Sequence, residues 1–191
     1  LTVDRTLLWS NICQSTLNMP TRGGGLYVIG GQVEMENTVV ATNSCLSTSI
    51  QGGGIHQAGG ILRLYNITLA DNWLEGIRCA AGQAVLTNCI VWGHSGADIT
   101  GTVTIGYSCV GTGGDPGNNG NISTDPQFRL VEGIPYGLAE MSPCVDAGID
   151  LPWQSRTSPD LLGNSRIKGR RVDMGALENQ ARNAGTLMII R

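Results

Sequence analysis

The sequence is short of charge and of aromatic rings. Of 191 residues only 14% are charged and 5% aromatic, with one phenylalanine, two histidines and a single lysine, Lys168. The formal net charge is −3, which speaks against the basic stripe of a nucleic-acid surface. No apolar run approaches the roughly 18 residues that cross a bilayer, so no membrane span is expected. Neither histidine, His56 or His94, stands beside a Ser or Cys in a nucleophile signature. No two cysteines have the CxxC spacing of a zinc site, and the GGG runs do not open a helix as a phosphate loop would.

What the chain has instead is glycine, 28 residues of it, and repetition. Residues 52–72, GGGIHQAGGILRLYNITLADN, match residues 23–43, GGGLYVIGGQVEMENTVVATN, without a gap at a shift of 29. Residues 76–94, GIRCAAGQAVLTNCIVWGH, match from Gly54 onward at a shift of 22. Each copy carries short apolar segments at period two, such as Leu62 and Leu64 or Ile67 and Leu69, bounded by Gly pairs and Asn. Three short strands in such a unit fit one coil of a parallel β-helix better than a propeller blade, which needs four strands and about 40 residues. A unit this small buries its apolar face only by stacking on its neighbours.

Stacking about 4.8 Å apart makes the alignment a set of columns. Met35, Leu64 and Leu86 form one apolar column and Val40, Leu69 and Val91 another, as an interior requires. Asn37, Asn66 and Asn88 form a structural column at a turn, where Asn tolerates left-handed backbone and amides can bond along the stack. His94 falls in the column of Asn11, Asn43 and Asn72 and reads as a turn residue, while His56 follows Ile55 in a strand and faces outward. Trp9 and Trp92 share a column with Ala41 and Ala70. Facing out, the two rings would stack on glycan; facing in, the favoured reading, they close an apolar stack.

Residues 1–11 align with residues 33–43 at a shift of 32, so the chain enters in mid-repeat. The expectation is a mature or proteolysed fragment, or the tail end of a longer solenoid, with an open first coil. Six cysteines, Cys13, Cys45, Cys79, Cys89, Cys109 and Cys144, suggest an oxidising compartment. Cys13 and Cys45 share a column at a spacing a disulfide accepts. Cys109–Cys144 would tie the last coil to the C-terminal segment, leaving Cys79–Cys89 by elimination. The alternative is a ladder of buried free thiols.

The organisation expected is coils over residues 1–110, a Gly/Asn-rich loop over 111–124, a C-terminal cap of the same domain over 125–178, and a tail over 179–191. The cap region holds DPQF (125–128), SPCVDAG (142–148), DLLGNSR (160–166) and VDMGALE (172–178). In that order, with NCIVWG (88–93) and YSCV (107–110) before them, these motifs resemble the C-terminal portion of bacterial right-handed parallel β-helix proteins of the choice-of-anchor type, within the pectate-lyase-like β-helix superfamily. The resemblance covers nearly the whole chain. It implies an all-β, right-handed parallel β-helix of about four to five coils with a C-terminal cap, extracellular or displayed on a cell surface. It implies no reaction.

For chemistry, Asp125, Asp146, Asp160 and Asp173 are the candidates for a structural calcium, against the simpler reading that they cap turns or pair with Arg166, Arg170 and Arg171. Hydrolysis needs two carboxylates about 5–10 Å apart on one face, and no such pair repeats in register. Arg63 aligns with Glu34 as an outward charge pair. The expected function is therefore a non-catalytic structural or adhesive rod, a filament or surface-layer component or glycan binder. Self-association would run through the open first coil or the apolar tail, residues 186–191. The competing reading is a polysaccharide lyase or glycoside hydrolase with its active groups partly in preceding coils.

Overall fold

The structure, a computed structural model, describes residues 1–15, 19–46 and 50–181. Among these residues the chain is all-β, with strands, bridges and turns and no helix. Alternation at period two makes each strand two-faced: in Gln32–Glu36, Val33 and Met35 are buried while Gln32, Glu34 and Glu36 are not, and Ile61–Tyr65 behaves likewise. The strands pair in parallel with their equivalents in the next repeat. Met35 is in register with Leu64 and Leu64 with Leu86; Val40 is in register with Leu69 and Leu69 with Val91. The product is one seven-stranded and one five-stranded parallel sheet. Their inward columns meet in a core that contains Met35, Val40, Leu64, Leu69, Leu86 and Val91.

The corners need left-handed backbone. Asn37, Asn66 and Asn88 have φ of 48°, 52° and 57°, and Arg5 and Tyr107 hold the equivalent position at 45° and 48°. The amides of this column do not bond along the stack, however. Asn37 Nδ2 donates to Asp4 Oδ1, and Asn88 clasps the backbone N–H and C=O of Ile149. The side-chain ladder runs in the next asparagine column. There the N–H of Asn11 donates to Asn43 Oδ1 at 2.9 Å, that of Asn43 to Asn72 Oδ1 at 2.9 Å, and that of Asn72 to His94 Nδ1 at 3.0 Å. His94 stands in the column of these asparagines, and its imidazole ends the ladder.

This ladder is one constraint on Gly25 and Gly54, the last glycines of the two triplets, and on Gly76 at the same position of the next repeat. A Cβ on Gly25 would lie 2.9 Å from Asn43 Nδ2, one on Gly54 would lie 3.0 Å from Asn72 Nδ2, and one on Gly76 would collide with the His94 ring. The first glycine of the two full triplets, Gly23 and Gly52, turns the chain at φ 62°, a conformation that costs glycine little.

Residues of the C-terminal segment, 125–178, pack on the outward face of the five-stranded sheet. The antiparallel hairpin Phe128–Val131 with Ile134–Leu138 brings Ile134 and Tyr136 onto Val39, Ala41 and Ala70, together with Ala176 and Leu177. Further along, Leu138, Cys144 and Met174 pack on Ile90 and Cys109. Hydrogen bonds hold the cover down, from Ala176 N to Thr68 Oγ1 at 2.9 Å and from Gly175 N to Asn88 O at 2.7 Å. The outward face of this sheet is apolar, so a covering layer is what keeps it from water.

The loop expected over 111–124 is also partly ordered onto the sheet. Ile122 bridges to Cys109 in parallel, and Val110 N donates to Ile122 O at 3.0 Å, so the chain adds a partial rung before leaving for the side. Residues 186–191 lie outside the described residues.

Candidate functional site

One outward column of the seven-stranded sheet is polar throughout. Tyr27 is in register with His56, His56 with Arg78, and Arg78 with Thr100. Because side chains alternate along a strand, the burial of Ile55 and Gln57 in the interior sends His56 to the outer face. Its ring meets Tyr27 edge-on, with centroids 5.3 Å apart. Arg78 Nη1 donates to Glu75 Oε1 at 3.0 Å, and Glu75 Oε2 accepts the Gly52 N–H at 2.8 Å. Beside them, Arg22 Nε donates to Gln51 Oε1 at 3.2 Å where Thr21–Arg22 pairs with Ile50–Gln51.

Although it lies on the outer face, His56 is only 2% exposed. Burial holds its pKa below the ordinary histidine value, Arg22 and Arg78 push the same way, and Glu75 opposes them. The imidazole is therefore neutral near pH 7 and can accept a proton or a hydrogen bond. Among the described residues His56 Nδ1, Arg78 Nε and Thr100 Oγ1 are buried without a hydrogen-bond partner. Buried polar atoms in folded chains are nearly always satisfied, so these three atoms are exceptions, while Tyr27, 40% exposed, presents the open surface of the column. With two guanidinium groups and one carboxylate, it suits a ligand that carries hydroxyls or an anionic oxygen.

The sequence reading passed over most of this site. The signal was available, since the shifts of 29 and 22 align Tyr27, His56 and Arg78; Arg22 and Glu75 come from turns and carry no such signal.

The residues expected to carry chemistry sit elsewhere. Each calcium candidate accepts backbone N–H donors: Asp125 from Gln127, Asp146 from Arg170, Asp160 from Leu162, Asn164 and Glu178, and Asp173 from Asp146 and Asn179. Their oxygens organise turns, and among the described residues no group of three or more His, Cys, Asp or Glu side chains is arranged to hold a metal. Arg166 is fully buried beneath them, with Nη2 donating to the carbonyls of Asp173, at 2.9 Å, and Gly175. Burial raises Asp173 to about 6 and Glu178 to about 8, with Arg166 opposing both.

Against the favoured reading, Trp9 and Trp92 face away from the core, and each is partly covered. Trp9 packs on Tyr136 with centroids 5.8 Å apart, and Trp92 packs in the cluster with Leu138 and Met174. Facing outward and being partly buried are compatible here because residues of the 125–178 segment pack against both rings.

All six cysteines are thiols. Cys13 and Cys45 are register partners, and Cys109 and Cys144 share one buried cluster. The pairing left by elimination is not prepared: Cys89 Sγ donates to Leu64 O and Thr87 O, and Cys79 Sγ to Ala81 O.

No helix among the described residues is long and apolar enough to cross a membrane. Comparison with protein-family models, with curated proteins and with solved structures finds no match to this chain.

Proposed function

We propose that the chain is a right-handed parallel β-helix of the extracellular or surface-displayed kind, and that it works as a non-catalytic, glycan-binding rod. The observation that carries this reading is the Tyr27–His56–Arg78–Thr100 column, a ready-made row of an aromatic ring, a neutral imidazole and a guanidinium on a sheet face. Stacked rungs hold such groups at about 4.8 Å intervals without loop motion, which suits repeated contact along an extended ligand. The single carboxylate of the site, Glu75, is engaged by Arg78 and the Gly52 N–H, so the acid–base pair that glycoside hydrolysis requires is missing from this column. Self-association through the first coil or residues 186–191 belongs to the same reading of a structural rod.

Isothermal titration against a panel of neutral and acidic oligosaccharides tests it. Binding is expected for at least one class, weakened about tenfold or more by Arg78→Gln or Tyr27→Ala, without release of new reducing ends. Absence of binding across the panel, or equal binding by both variants, overturns it.

A second reading, a polysaccharide-cleaving enzyme, has one specific observation in its favour. Glu36 has a raised pKa, from burial first and then from Asp4 and Glu34, and its Oε1 accepts the Trp153 indole N–H at 2.9 Å. A carboxyl group whose pKa is raised by burial and by neighbouring acids is what a general acid needs. Reducing-end release that disappears in Glu36→Gln would establish this reading in place of the first.

A further inference from the structure

Cys109 and Cys144 are brought together by the fold from two unrelated parts of the chain. Cys109 opens the last strand of the five-stranded sheet, in register with Ile90, while its neighbour Val110 points into the core. It therefore faces outward, under the covering segment that carries Cys144. Both side chains are fully buried in one cluster with Ile90, Leu138 and Met174, where Cys109 Sγ donates to Thr124 O at 3.2 Å and each thiol perturbs the other.

The backbone around Cys144 is held on both sides. Its N–H donates to Ser142 Oγ at 3.1 Å, and its C=O accepts the Met174 N–H at 3.0 Å. Cys109 is held by its ladder. The neighbouring Cys144 draws the Cys109 thiol below the ordinary cysteine range, while Cys109 and burial push Cys144 far up. Cys109 is thus the readier of the two to ionise and act as the nucleophile.

We propose that Cys109 and Cys144 form a disulfide that fastens the C-terminal cover to the last rung of the sheet. The oxidant is a disulfide, either a small-molecule one such as oxidised glutathione or the active-site disulfide of an oxidoreductase. The Cys109 thiolate attacks one sulfur of it, forming a mixed disulfide and releasing a thiolate. Cys144 gives up its proton and attacks Cys109 Sγ, displacing the second thiolate. Two electrons and two protons pass to the oxidant, which leaves as two thiols. Since neither thiol is exposed in the closed form, oxidation proceeds before the cover closes or when it lifts. The bond then restrains residues 110–143 in the opened chain and keeps Ile90, Trp92 and the rest of the apolar outer face from water. Cys79 and Cys89 lie in the inner core cluster, apart from the one that holds Cys109 and Cys144, so they stay reduced.

The bond requires an oxidising environment, as the extracellular reading supplies, yet it is tested independently of that reading and of any glycan. The full chain is equilibrated in glutathione buffers of graded poise, quenched in acid, alkylated under denaturing conditions and mapped by peptide mass. The expected result is one linked peptide pair joining Cys109 to Cys144, with Cys79 and Cys89 alkylated. In a trypsin time course, release of the segment 125–178 is expected to be about tenfold slower or more in the oxidised form than in the reduced form. The variants Cys109→Ser and Cys144→Ser should each abolish that difference, while Cys79→Ser should keep it. Alkylation of both Cys109 and Cys144 at the most oxidising poise, or their linkage to other cysteines, overturns the proposal. So does a release rate that is the same in both redox forms.

Discussion

Replacing His94 by asparagine would test the internal ladder directly. In the wild-type chain the Asn72 N–H donates to His94 Nδ1 at 3.0 Å, so that nitrogen must keep its lone pair. The ring is fully buried, its Nε2 lies 3.9 Å from Asp98 Oδ1, and burial holds the pKa down at about 4. An unfolded histidine titrates near 6.5. Between those two values the unfolded chain binds more protons than the folded one, so stability falls as pH falls through this window. The stability present above pH 6.5 and lost by pH 4 is about 3 kcal/mol, from a shift of about 2.5 units at 1.36 kcal/mol each.

Asparagine restores the residue of the preceding rungs, and its Oδ1 can accept the same N–H without titrating. At pH 7 the variant should be less stable by about 1–2 kcal/mol, because the smaller side chain leaves space against Gly76. By pH 4 that deficit should have reversed, the difference between the proteins having moved by about 3 kcal/mol in favour of the variant. Asp173 and Glu178, with raised pKa values, contribute in the opposite direction: their effect is fully present at low pH and lost as pH rises through about 6 and about 8. They are common to both proteins and cancel in the difference. Asp98 keeps its hydrogen bonds from Thr112 and from the backbone N–H of residue 94. Urea midpoints followed by tryptophan fluorescence at pH 7 and pH 4 supply the numbers. A difference that stays constant across that range would refute the neutral, accepting imidazole.

Two further outcomes follow from the packing. Gly53→Ala should destabilise by about 1–3 kcal/mol in urea denaturation, because its Cβ would collide with the Trp73 carbonyl oxygen of the next rung. Arg166→Ala should cost about 3–5 kcal/mol by the same assay, since it removes the donor to the buried carbonyls of Asp173 and Gly175 and the cation nearest the Asp173 carboxylate; a loss below 1 kcal/mol would show that neither group depends on Arg166.

The repeat determined a good part of this protein without any coordinates. Apolar residues at period two, copied at shifts of 32, 29 and 22, dictate which residues stack, and Met35, Leu64 and Leu86 take the register that the copies require. A neighbour offset by one residue would turn every side chain to the wrong face, so local pattern and long-range pairing carry the same information. The glycine triplets were legible as turns, but the reason for Gly25, Gly54 and Gly76 was not, because it lies in asparagine and histidine side chains that arrive from another part of the repeat.

Beyond residue 110 the chain has no repeat, and there only the tertiary structure decides. Short apolar pieces such as Ile134, Tyr136, Ala176 and Leu177 fit the end of a stack as well as its side, and the outward apolar face of Val39, Ala41 and Ala70 settles the matter by needing cover. The same cover partly buries Trp9 and Trp92 and brings Cys144 to Cys109. Protonation follows the same logic. The sequence contains His94, Asp173 and Glu178, but desolvation is a property of the surroundings that packing supplies, and so their charge states belong to the folded chain alone.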